Sequence, residues 1–162
     1  MNKHIYIMRA VSGAGKSTFI NNYIKNNKDK VIKVVSADHY FIENGKYNFD
    51  FSKLHQAHMQ CQNNFEKYIK DDKVNIIFVD NTNLVYREMK YYIDMSIENN
   101  FNWNIIQINI PQEIILKRQT NCKNISKDII DKMFNKLINC ALSKEIQDKI
   151  IIVNGEKEYE NF

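Results

Sequence analysis

Residues 10–18 read Ala-Val-Ser-Gly-Ala-Gly-Lys-Ser-Thr, and no other stretch restricts the possible folds so sharply. A β-branched run (3–8) precedes it and a helical pattern (17–27) follows, so the glycines fall at a strand-to-helix turn. The spacing is that of the phosphate-binding loop, G-x-x-x-x-G-K-[ST], with Ala10 in the first glycine position, where a small side chain suffices. Gly13 and Gly15 let the backbone curl so that successive N–H groups point at phosphate oxygens. The helix that follows adds its positive end. Ser12, Gly13, Ala14, Gly15, Lys16, Ser17 and Thr18 are therefore the expected nucleotide-binding residues. Lys16 reaches the β- and γ-phosphates of ATP, and Ser17 offers its hydroxyl to Mg²⁺.

The rest of the chain repeats the alternation. Strands are expected at 31–36, 74–79, 103–110 and 150–153. Helices are expected at 51–71, at 86–99, after Pro111, and from a Ser126 cap to about 140. The run at 74–79 is continuously apolar, as a parallel strand covered on both faces should be. This predicts one α/β domain over 1–162, a doubly wound P-loop NTPase with a mainly parallel five-stranded sheet. A short helical lid falls at about 117–125, and the polar tail at 154–162 reads as frayed.

Composition excludes several classes. Hydrophobic residues make up 44% of 162 and charged residues 26%, with one Pro and four Gly, so no linker-rich or disordered chain is expected. No apolar run approaches the roughly 20 residues that cross a bilayer, and the N-terminus does not read as a signal peptide. Cys61, Cys122 and Cys140 are odd in number and widely spaced, which favours reduced thiols and an intracellular location. The net charge of +4 is a weak pointer to anionic partners. Ile, Asn and Lys total 68 residues, a bias that accounts for the basic balance without a nucleic-acid surface. Only three residues are Arg: Arg9, Arg87 and Arg118.

In open α/β sheets ligands bind beyond the carboxyl ends of the strands. The second strand runs out into Ser36-Ala37-Asp38-His39-Tyr40-Phe41, and the third into Asp80-Asn81-Thr82-Asn83. Each delivers an acid to the rim that carries the phosphate loop. One such acid can hold Mg²⁺, and the other can accept a proton from an acceptor hydroxyl. Read alone, either could be a turn or cap residue, a reading that two acids on one rim beside a phosphate loop weaken.

These segments come in a familiar order: Ser36-Ala37-Asp38-x-Tyr40-Phe41, Gly45-x-Tyr47-x-Phe49, Leu54-x-x-Ala57-His58-x-x-Cys61, Asp80-Asn81-Thr82-Asn83, then Glu88-Met89 and Tyr92. The set resembles the P-loop kinase domain of the Nedd-four-binding proteins, related to the kinase half of phage polynucleotide 5′-kinase. The resemblance spans roughly 3–133. It implies transfer of the ATP γ-phosphate to a 5′-hydroxyl of DNA or RNA. It makes Asp38 the general base, Asp80 a Mg²⁺ ligand beside Ser17, and Asn81, Thr82 and Asn83 neighbours of the acceptor or metal. Lys16 and Arg118 complete the expected catalytic set, with Arg118 as a lid arginine on the transferring phosphate. Arg9 matches the family's usual start of the loop.

The chain departs from that pattern at four places, one of them a longer stretch from Arg118 to Ile125. Gln119 follows the lid arginine where the family has Asn, and Asn121 stands where one branch has His. Phe41 occupies the place of an arginine that grips the acceptor phosphate in the phage-type enzymes. Lys117 or Lys123 could substitute, although an ammonium cannot grip a phosphate bidentately. A small-molecule hydroxyl therefore stays open as the acceptor, and so does a module that binds nucleotide without turnover.

Other features have two readings. His55, His58 and Cys61 lie on neighbouring turns of one helix without a fourth metal ligand, which favours packing. Tyr40, Phe41, Tyr47 and Phe49 are either a base-stacking surface for the acceptor or a small satellite core under a loop.

Overall fold

A computed structural model of the chain describes residues 3–119 and 125–156. Strand β1 (His4–Arg9) runs into the glycine loop, and α1 (Lys16–Asn26) leads to β2 (Ile32–Val35). A 3-10 turn (Ala37–Phe41) and a small hairpin, β3 (Ile42–Glu43) with β4 (Lys46–Tyr47), precede α2 (Leu54–Lys70). Then come β5 (Ile76–Val79), α3 (Tyr86–Glu98), β6 (Asn102–Asn109), α4 (Gln112–Gln119), α5 (Lys127–Asn139), α6 (Lys144–Gln147) and β7 (Ile150–Asn154). The main sheet has the order β2-β5-β1-β6-β7, with every pairing parallel. This is the expected α/β architecture with five parallel strands.

Period-two alternation divides the strands between two cores. Ile5, Ile7, Ile77, Val79 and Ile105 pack against Cys61, Phe65 and Ile69 of α2 and against Met89, Tyr92 and Ile93 of α3. On the opposite face Met8, Ile76, Phe78, Ile106 and Ile108 meet Phe19 and Ile20 of α1, Ile115 of α4 and Ile130 of α5. All four residues of β5 are buried, which is why its run is apolar without a break.

The register sets the site. Val35 pairs with Val79, and Val79 with Ile7, so β2, β5 and β1 end in one row. The chain beyond each emerges on one rim, on neighbouring strands about 5 Å apart.

Three features differ from expectation. The hairpin turns on Asn44 and Gly45, with φ of 52° and 76°, the signature of a type I′ turn. Its strands are two residues each, too short to carry an alternating pattern. Helix α6 is a four-residue turn capped by Ser143, whose side chain accepts from the Ile146 N–H. The third is a correction to the tail. Asn154 closes β7 opposite Asn109, and Gly155 is buried, its N–H donating to the Asn109 carbonyl at 2.8 Å. Backbone pairing orders residues whose polar side chains suggest fraying. Residues 157–162 lie outside the described residues, as do 120–124, which hold Cys122, Lys123 and the middle of the expected lid.

Candidate active site

The glycine loop curls as its sequence requires. Gly13 and Gly15 have φ of 84° and 103°, a region costly for a side chain with Cβ. Gly15 stands at the N-cap of α1 with no side-chain cap, and no acidic residue occupies the first turn. The positive end of the helix therefore faces whatever the loop encloses, with no acidic side chain of its own first turn beside it. Ser17 and Thr18 are exposed there, Lys16 and Ser12 are half-buried, and Ala14 is buried against the core.

Asp80 follows β5 directly, its N–H donating to the Val35 carbonyl at 2.8 Å. Asp38 is exposed in the 3-10 turn after β2, where the Ser36 hydroxyl accepts from its N–H. The segment after Asp80 ties the rim together. The Ala10 N–H donates to the Thr82 carbonyl, and Asn83, with φ 48°, donates from its amide to the Met8 carbonyl at 2.7 Å. Asn81 accepts from the Ala37 N–H at 2.9 Å and donates to the Cys61 sulfur. Asn83 was expected beside the acceptor or metal. It is 2% exposed, and its amide braces β1. Asn81 likewise holds the Asp38 turn against the end of β5, which makes it a positioning group.

Arg118, near the end of α4, donates to the Gly13 carbonyl at 3.1 Å and to the Gly155 carbonyl at 3.0 Å. Arg118, expected as a lid arginine, thus lies on the glycine loop itself. Gly155 was not legible as a site residue, since its only sequence signal is a glycine after the last strand. A Cβ there would meet Ile108 Cγ2 at 2.9 Å, Ile110 Cβ at 3.1 Å and the Ala14 carbonyl at 3.2 Å. Gly155→Ala is therefore expected to cost about 1–3 kcal/mol of stability through overpacking and to weaken ATP binding by displacing the loop. Denaturation and nucleotide titration read the two effects, and no change in either would show the loop to be independent of β7.

Arg9 is turned into the scaffold. Its buried guanidinium donates to Gln107 Oε1 at 2.6 Å and to the carbonyls of Leu84 at 2.8 Å and Leu137 at 3.3 Å. It joins β1 to β6, to the entry of α3 and to α5, beneath the loop.

The aromatic group divides. Phe41 is 4% exposed and packs with Ala37 and Ala57, and half-buried Tyr40 lies edge-on to it at 5.3 Å. This part is a small satellite core under the loop, with Phe41, one of the expected acceptor contacts, inside it. Tyr47 and Phe49 remain exposed. The Tyr47 hydroxyl donates to Asp38 Oδ1 at 3.1 Å, and burial, then the Asp38 charge, push the phenol up to about 12. It stays a donor at neutral pH. Cys61 is buried, accepting from the Tyr92 hydroxyl at 3.2 Å, and burial pushes its thiol up. His55 and His58 are exposed, and among the described residues no group of three or more His, Cys, Asp or Glu could hold a metal ion.

The donors on this rim suit Mg²⁺. The Ser17 hydroxyl and the Asp80 carboxylate are hard oxygens, and Mg²⁺ is usually held by one or two protein groups together with substrate phosphates.

Sheet order and helix arrangement define an α/β fold with a five-stranded parallel sheet, and solved structures of kinases share it. A sugar kinase from Janibacter sp. HTCC2649 superposes with a TM-score of 0.61, covering 97% of this chain and 87% of that one at 13% identity. A gluconokinase from Sinorhizobium meliloti 1021 gives 0.60, covering 96% and 83% at 8% identity. In sequence, NEDD4-binding protein 2 from Homo sapiens is 37% identical over 92 residues, 57% of this chain. The chain spans about 5% of that relative's length. No protein-family model matches. No helix among the described residues is long and apolar enough to cross a membrane.

Proposed function

We propose that the chain is an ATP- and Mg²⁺-dependent kinase that transfers the γ-phosphate to a hydroxyl, in the first instance the 5′-hydroxyl of a polynucleotide. The observation that carries this reading is the single rim on which the glycine loop, Asp80, Asp38 and Arg118 meet. The glycine loop and Lys16 bind and orient the triphosphate. Ser17 and Asp80 would hold Mg²⁺, which when bound supplies positive charge beside the phosphates. Asp38 takes the proton of the acceptor hydroxyl as its oxygen bonds to the γ-phosphorus, while the bond from phosphorus to the bridging oxygen breaks and ADP leaves. Arg118 offsets charge on the equatorial oxygens. The order of motifs from Ser36 to Tyr92, through the resemblance it carries, favours a polynucleotide acceptor. The likeness to a sugar kinase and a gluconokinase favours a second reading, a small-molecule hydroxyl.

The test is incubation with γ-labelled ATP, Mg²⁺ and 5′-hydroxyl DNA or RNA oligonucleotides, alongside nucleosides and sugars, with Lys16→Ala as control. Label on the oligonucleotide end, absent with the control, is the expected result. Label on a sugar alone would move the assignment to the second reading. ATP binding with no transfer to any acceptor would point to a nucleotide-binding module.

A further inference from the structure

Beside Asp38 stands a surface that the phosphate-transfer groups do not use. The Tyr47 hydroxyl reaches Asp38 Oδ1 at 3.1 Å, so the Tyr47 ring lies directly against the candidate base. The Phe49 ring is nearly parallel to it, with planes at 19° and centroids 6.5 Å apart. Phe49 is backed in turn by buried Phe41, at 5.1 Å. Tyr47 and Phe49 are 44% and 53% exposed, and Phe51, two residues on, is 78% exposed. Three large rings held open to solvent within five residues are an unusual expense of apolar surface.

Local structure holds the segment in this form. The Asn44-Gly45 turn closes the hairpin, with Ile42 opposite Tyr47, and the Asn48 N–H donates to the Phe41 carbonyl at 2.8 Å. Asp50 caps the next turn by accepting from the N–H and hydroxyl of Ser52. The rings are thus presented by a braced loop.

We propose that Tyr47, Phe49 and Phe51 form a stacking platform for the unpaired nucleobase of the acceptor's terminal nucleotide, which sets that nucleotide's 5′-hydroxyl at Asp38. This rests on the kinase reading above. The chemistry of the rings selects the occupant. Phe49 and Phe51 carry no polar atom, and the Tyr47 hydroxyl is engaged by Asp38, so the platform offers π-faces and few hydrogen bonds. A nucleobase needs a π-face, and stacking tolerates any base. The hydroxyls of a sugar would find no hydrogen-bond partner on Phe49 or Phe51, which have no polar side-chain atom. Phosphates would lie elsewhere, since positions 47, 49 and 51 bear no charge.

The experiment titrates the full chain, without ATP, with short fluorescent single-stranded oligonucleotides carrying a 5′-hydroxyl and either a normal or an abasic first nucleotide. Transfer from ATP to the same oligonucleotides is measured in parallel. The abasic end is expected to bind about tenfold more weakly or worse. Phe49→Leu combined with Phe51→Leu, which keeps apolar bulk and removes the rings, should impose the same loss on the normal end and none on the abasic end. Tyr47→Phe keeps the ring and should leave the preference for a base intact. Equal binding of both ends, binding of neither, or an equal loss for both in the double variant would overturn the platform. Base-dependent binding without transfer would uphold it and overturn the kinase reading instead.

Discussion

Asp38→Asn is expected to lower kcat by about 10²–10⁴-fold while ATP affinity stays unchanged. The substitution is nearly isosteric, and the amide oxygen can still accept from the Tyr47 hydroxyl, so the turn at Ala37–Phe41 keeps its shape. What disappears is a group that can take the acceptor's proton. ATP affinity is preserved because the triphosphate site is built at the end of β1, a separate strand of the same row. Steady-state kinetics over acceptor and ATP concentration, with a nucleotide titration, separates the two quantities. A kcat within a few-fold of the parent would remove Asp38 from the chemistry and favour the nucleotide-binding module.

Arg118→Ala is expected to reduce kcat by about 10³-fold, the scale on which an arginine at the transferring phosphate acts. Its guanidinium already lies on the loop, bonded to the Gly13 and Gly155 carbonyls. One end can turn to the γ-phosphate while the other keeps its place on Gly155. Arg118→Lys should recover only part of the rate, because an ammonium cannot bond in both directions with fixed geometry. If instead kcat falls less than tenfold while stability and ATP affinity drop, Arg118 is a brace between the loop and β7 and carries no charge to the phosphate.

Much of this site was legible in the chain because its chemistry is local. A phosphate loop needs particular residues at fixed spacing between a strand and a helix, and Gly13, Gly15, Lys16 and Ser17 announce it. Asp38 and Asp80 could be paired with it because both follow apolar runs, and parallel strands deliver their ends to one rim. Ser126 read as a helix cap and is one, its hydroxyl accepting from the Ile129 N–H. The partners of Arg9 and Asn83 were not legible, for one shared reason. Both stand within motifs, yet each side chain reaches across the sheet to backbone carbonyls more than 70 residues away. A one-dimensional pattern cannot distinguish a polar group aimed at a ligand from one aimed at the scaffold.

The loop, the two strand-end acids and the five-strand alternation follow from short-range pattern, since backbone freedom, strand period and helix period are properties of neighbouring residues. Tertiary packing alone decided the rest. It brought Gly155 against Ala14, carried Arg118 onto Gly13, buried Phe41 and left Tyr47 and Phe49 open beside Asp38. Those contacts join segments separated by up to 141 residues (155 minus 14), and only parallel pairing around β1 sets the distances between them.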